Sequence, residues 1–170
     1  SDAVENRAEE AEKLLVGLKG TYEELWPVIL DSKYDEAWLE SCKAAVGEEN
    51  AESAAEMMKT VCNGKLIGQE AVDAYASAPE NALFDCDFTQ GVDKITFDGN
   101  TISGVDANGN EVFSHTYEYV DYNADLDFYE YKSLDADSGE FTWFFMRPDT
   151  PATTWHIEFR YGSDANELSD

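Results

Sequence analysis

The spacing of apolar residues changes once along this chain, near Asn81, from a period of about 3.6 to a period of 2, which predicts helices followed by strands. Before the change, residues 3–16 are rich in Ala, Glu, Lys and Leu and read as a charged helix. Thr21 with Glu24 three residues later is a capping-box pattern, and Tyr22, Leu25, Trp26 and Ile29 share one face of the helix it predicts, which Pro27 should kink or shorten. Ser32 with Asp35 repeats the pattern ahead of Trp38, Leu39, Cys42, Ala45 and Val46, a stripe that ends near Gly47. Ala54, Met57, Met58 and Val61 continue the period to a stop at Asn63-Gly64, with Met57 and Met58 read as core, and Ala71, Val72 and Tyr75 predict a short helix closed by Pro79.

After the change, Phe84, Cys86 and Phe88 alternate with Asp85 and Asp87. Asp98-Gly99, Asn108-Gly109 and Ser138-Gly139 are turn signals that separate strand-like runs at 92–97, 112–122, 126–132, 140–146 and 154–161. No helix-length segment lies between these runs, so the strands must pair antiparallel, as in a barrel or a sandwich. A length of 170 residues fits one domain, with a helical part at 1–80 and a β-part at 81–170.

Charge narrows the partners. Thirty-seven Asp and Glu against eleven Lys and Arg leave a net charge of −26, a field that repels nucleic-acid phosphates and anionic lipid and concentrates cations. The same charge also serves simple solubility. No apolar run reaches the roughly 18 residues of a membrane-spanning helix. A chain that opens Ser1-Asp2-Ala3 suggests a segment processed after export. Cys42, Cys62 and Cys86 show no CxxC spacing, and either one disulfide with a free thiol or three buried thiols would satisfy them.

There are two histidines. His115 falls mid-strand in Phe113-Ser114-His115-Thr116-Tyr117 and reads as a hydrogen-bonded interior residue. In Trp155-His156-Ile157-Glu158-Phe159-Arg160-Tyr161 the apolar residues take one strand face and His156, Glu158 and Arg160 the other. Residues two apart on a strand lie about 6–7 Å from each other, so His156 and Glu158 can converge on one cation, although a solvent-facing polar row has the same pattern. Asp106-x-Asn108-x-Asn110, Asp121-x-Asn123-x-Asp125 and Asp135-x-Asp137 resemble calcium loops in outline. They lack the glycine at the sixth place, and the twelfth places hold Tyr117, Lys132 and Met146 instead of Glu, so turn formation is the better reading. No phosphate-binding GxxxxGK[ST], GxSxG elbow or HExxH pattern occurs.

The order of strands and turns resembles the ZinT (YodA) family of zinc-binding domains. The resemblance runs through Leu18-x-Gly20-x-Tyr22, Trp26-Pro27 and Lys33-Tyr34-Asp35-Glu36. It continues in the residues from Val92 to Ile102, in Gly109 and Tyr117-x-Tyr119, and in Phe144 through Pro151 to Gly162. It implies an extracytoplasmic protein, secreted or lipid-anchored, with an α+β fold: an antiparallel lipocalin-like (calycin-type) β-barrel with an N-terminal helical cap. It also implies zinc bound through three histidines. Here His156 matches the first histidine of the family's His-x-His, Glu158 stands in place of the second, and Arg147 stands where an upstream histidine would be. Arginine cannot ligate a metal, so a site at this place would draw on His156, Glu158 and neighbours such as Asp149 or His115. An Arg147–Glu158 ion pair is the alternative filling.

The expectation from pattern and resemblance together is a non-catalytic protein that captures or buffers a divalent metal, zinc first, with His156 and Glu158 as ligands and a zinc ABC-transporter binding protein as a potential partner. The alternative is a metal-free lipocalin-like module whose interior, lined by some of Trp143, Phe145, Tyr117, Tyr119 and Tyr129, takes a small organic ligand, or whose surface docks a protein.

Overall fold

A computed structural model describes residues 2–24, 28, 30–62, 88–148 and 157–169. The chain forms two compact units, one of residues 1–23 with 90–170 and the other of residues 24–89.

The first unit begins with helix α1, Asp2–Gly17, and continues through seven strands: β1 Gly20–Glu23, β2 Lys94–Asp98, β3 Thr101–Val105, β4 Glu111–Asn123, β5 Phe128–Ser133, β6 Trp143–Pro148 and β7 Ile157–Gly162. They form one sheet in the order β1 to β7, with every neighbour antiparallel. The turns expected at Asp98-Gly99 and Asn108-Gly109 join β2 to β3 and β3 to β4. Gly99 (φ 60°) and Gly109 (φ 81°) take the left-handed conformation that such turns require. Ser138-Gly139 leads instead into a short 3-10 turn, Gly139–Phe141.

The helix expected from Thr21 does not form there, because Gly20–Glu23 is a strand paired with β2 in the register Gly20↔Phe97 to Glu23↔Lys94. A local capping pattern is worth only about 1 kcal/mol, which four residues of sheet pairing and the burial of Tyr22 against Phe97 outweigh.

The sheet is strongly rolled. Strands five places apart in a flat sheet lie about 24 Å from each other, at roughly 4.8 Å per strand. Phe97 on β2 and Phe159 on β7 nevertheless have ring centroids only 6.4 Å apart. The inward face is an aromatic core: Phe113 stacks on Phe141 at 4.0 Å, and Phe144 meets Tyr117 at 5.2 Å and Tyr161 at 5.2 Å. A bulge between Tyr119 and Asp121 shifts the alternation of β4 by one, so that Tyr119 faces Tyr131 and Tyr122 faces Tyr129. Helix α1 lays Ala11, Leu15 and Leu18 on this face, all buried, and the Tyr131 hydroxyl donates a 2.5 Å hydrogen bond to the Ala11 carbonyl. At its end, helix α4, Ala165–Leu168, covers Gly162 with the Leu168 side chain.

The second unit contains α2, Asp35–Val46, and α3, Glu48–Cys62, which turn on Gly47 (φ 86°). They meet through Cys42, Ala51 and Ala55, with Trp38, Leu39 and Ala54 around them, and Lys59 pairs with Asp35. Asp35 lies in the first turn of α2, and the capping position is Tyr34, which makes no side-chain cap bond. Met57 and Met58, read above as core, are 51% and 43% exposed. The alanines at 51, 54 and 55 let α2 approach closely and claim the buried stripe of α3. The segments expected at Asn63-Gly64, 71–79 and 84–87 lie outside the described residues.

Two outcomes follow. Gly104 faces Phe113 across β3 and β4, and a Cβ there would run into the Phe113 ring and come within 3.1 Å of a Val92 methyl. Because Phe113 is held by its stacking, Gly104→Ala should cost about 1–3 kcal/mol in urea unfolding. Burial, and secondarily the charge of Asp135 for Tyr117 and neighbouring tyrosines and Glu12 for Tyr131, push both phenols above their ordinary value. Folding therefore favours the neutral phenols. Their contribution is complete below pH about 10 and is lost as pH rises through the folded-state values. Phenolate absorbance should show these two groups ionising only together with alkaline unfolding.

Candidate metal site on β6 and β7

Strand alternation divides the sequence-predicted residues between the two faces of the sheet. Phe144 and Met146 of β6 point inward, so Arg147 points outward, and the register Arg147↔Glu158 puts Glu158 directly opposite it on β7. The ion pair weighed above is present: Arg147 Nη2 and Nε donate to Glu158 Oε2 at 2.8 and 3.2 Å. Arg147 Nη1 donates to the Leu126 carbonyl at 3.0 Å, and the guanidinium carbon lies 5.2 Å from the centre of the Phe128 ring. Arg160 approaches the same ring at 5.3 Å and donates from Nη1 to the Leu168 carbonyl at 2.9 Å. The parts that hold Arg147 thus come from three segments: β7, the β4–β5 turn and β5. Arg160 was placed on the same face as Glu158 by the alternation of its strand, whereas Leu126 and Phe128 escaped the sequence reading of the site because cross-strand neighbours leave no local spacing.

Glu158 accepts both bonds on Oε2, which leaves Oε1 without a hydrogen bond among the described residues. Its side chain is 44% exposed and that of Arg147 34%. His156 and Asp149 lie outside the described residues. His115 does not join Glu158. It pairs with Ile102 on the inward face, so the sheet stands between them, and its Nδ1 lies 2.7 Å from Asp135 Oδ2. That contact ties β4 to the β5–β6 connection, where Ser133 Oγ accepts from the Asp135 amide and the Ser138 hydroxyl bridges to Ser133.

The acidic runs are turn ties. Asp106 Oδ1 accepts from the amides of Asn108 and Asn110, both at 2.9 Å, Asp121 Oδ1 accepts from the amide of Tyr122, and Asn123 Oδ1 accepts from the amide of Leu126. Among the described residues no group of three or more His, Cys, Asp or Glu is gathered as a metal would need. Among the described residues this arrangement holds a guanidinium and offers one carboxylate, too few ligands for a complete divalent-ion centre.

The interior reading also changes. Tyr117, Tyr119 and Tyr129 do face inward, but Trp143 and Phe145 belong to the outer face, in step with Arg147. The inward face is filled with side chains, Tyr117, Tyr131, Phe97 and Phe144 being fully buried. Since both partners of the ion pair are about one-third or more exposed, a double-mutant cycle on Arg147→Ala and Glu158→Ala should give a coupling of no more than about 1 kcal/mol, with both variants folded.

No family model matches the chain, and no curated protein matches it in sequence. Solved structures do match in shape. One is the Zn(II)-bound ZinT-like domain of Streptococcus pneumoniae AdcA, at a TM-score of 0.54 and 17% identity over 92% of this chain and 76% of that one. Another is Zn(II)-bound AdcA from Streptococcus pneumoniae, at a TM-score of 0.55 and 16% identity over 91% of this chain. The chain spans 29% of the length of that AdcA. A rolled seven-strand antiparallel sheet with helices, superposing on these structures over nine-tenths of its residues, has the ZinT-like, lipocalin-like α+β fold.

Proposed function

We propose that this chain is a non-catalytic binding domain for a divalent metal ion, zinc before others, and that Glu158 is one of its ligands. The observation that carries the reading is a carboxylate oxygen, Glu158 Oε1, that has no hydrogen bond among the described residues, on the outer face of β7 in a fold whose matching structures are Zn(II)-bound. His156 is the second ligand in this proposal, since it stands two residues before Glu158 in the same polar row. A carboxylate and an imidazole form a normal partial ligand set for zinc. The net charge of −26 raises the local concentration of any cation. The role is metal capture or buffering outside the cytoplasm, with a zinc ABC-transporter binding protein as the partner that the family resemblance suggests.

A second reading is favoured by the Arg147–Glu158 pair, which neutralises the carboxylate without any metal. In that reading the domain is a metal-free module. In it the partner is a small organic ligand or a protein docked on the surface.

Calorimetric zinc titration of chelator-stripped protein separates the two, with calcium as the comparison ion. Stoichiometric binding lost in His156→Ala and in Glu158→Ala is the expected result. Weak, salt-sensitive binding that is equal for calcium and indifferent to both substitutions would reject the metal reading, since a surface this acidic adsorbs cations anywhere.

A further inference from the structure

We propose that Asn108, in the turn between β3 and β4, is a latent self-modification site. Its side-chain amide is lost to water through a cyclic imide formed with the Gly109 nitrogen, and Asp106 holds that reaction back.

The geometry of the turn sets up both halves of the proposal. The Gly109 amide donates to the Asp106 carbonyl at 3.0 Å, the Asp106 amide donates to the Asn110 carbonyl at 2.8 Å, and Gly109 has φ 81°. That is the pattern of a type I turn closed by a left-handed glycine, with Asn108 as its third residue at φ about −90° and ψ about 0°. Residues 107–110 are exposed, so water reaches the Asn108 amide. Asparagine side chains are thermolabile, and a following glycine leaves the attacking nitrogen unshielded by any side chain.

In the reaction the Gly109 nitrogen bonds to Asn108 Cγ and gives up its proton, while the Cγ–Nδ2 bond breaks and ammonia leaves with that proton. Water then opens the imide at either carbonyl. The product is aspartate, or isoaspartate with an extra methylene in the main chain, and no oxidant or reductant takes part.

Ring closure requires the Gly109 nitrogen and the carbonyl carbon, Cα and Cβ of Asn108 to lie nearly in one plane. In this turn the Asn108 nitrogen occupies that plane instead, and the tetrahedral Cα holds Cβ out of it. The Asn108 backbone must therefore rotate, which takes the Gly109 amide away from the Asp106 carbonyl. Asp106 resists a second time, because its Oδ1 accepts from the amides of Asn108 and Asn110, both at 2.9 Å. Local opening of the turn thus governs the rate.

The test is peptide mapping by mass spectrometry after incubation of the full chain at mildly alkaline pH. Folded wild type, Asp106→Ala and Asp106→Asn, each checked by circular dichroism, are compared with wild type unfolded in guanidinium chloride. Asn63-Gly64, the other Asn-Gly pair of the sequence, is scored as a separate peptide. Conversion of Asn108 should be slow in folded wild type and in Asp106→Asn, which keeps an acceptor oxygen. It should be about tenfold faster in Asp106→Ala, which loses two hydrogen bonds of ordinary strength, and fastest in guanidinium chloride. Equal rates in folded wild type and folded Asp106→Ala would overturn the restraint by Asp106. A folded wild-type rate equal to the unfolded one, or no conversion of Asn108 even in guanidinium chloride, would overturn the latent site itself, whether or not Asp106→Ala folds.

Discussion

Closure of the sheet onto its own aromatic side chains is the constraint on which the rest of this structure depends. Phe97 and Phe159 meet across five strand positions, and Phe113, Phe141, Phe144 and Tyr161 stack in the space between. Each ring contributes a large apolar area and a directional ring contact, so the rolled sheet buries far more than a flat one could. Gly104 is small because Phe113 needs its space, and α1 is held because its Ala11, Leu15 and Leu18 complete the same core. Once the inward face is committed in this way, function is left to the outer face and its edges.

The positive charges are few and well placed. All three arginines of the chain lie against aromatic rings, Arg7 over Tyr122 and Arg147 and Arg160 over Phe128. In a chain with 37 acidic and 11 basic side chains, an arginine fixed in this manner is a local positive point in a negative field. Glu158 shares that point through Oε2, and its Oε1 has no hydrogen bond among the described residues.

Much of this was legible in the order of residues, and the exceptions have physical causes. The turns at Gly99 and Gly109 were readable because each needs a backbone angle that few residues adopt. The strand at Gly20–Glu23 was misread as helix because its partner, β2, lies some seventy residues away, and a long-range pairing leaves no local pattern. Met57 and Met58 were misread as core because periodicity identifies an apolar stripe without saying which part of it the neighbouring helix covers. Trp143 and Phe145 were among five residues of which some were expected to line the interior; the register puts them on the face opposite Phe144, with Phe145 fully buried there, and the continuous apolar run of β6 hides that alternation.

By itself the sequence pointed to the class of the fold, helices and then antiparallel strands, through a change of hydrophobic period near Asn81 and the absence of helix-length segments between the later strands. It also places one of its two histidines, His156, two residues before Glu158. Only the tertiary structure decided that His115 and Glu158 lie on opposite faces of the sheet and that Arg147 sits opposite Glu158 with Leu126 and Phe128 holding it. Register and strand curvature are properties of several segments at once, and the free energy that selects them comes from packing between residues distant in the chain.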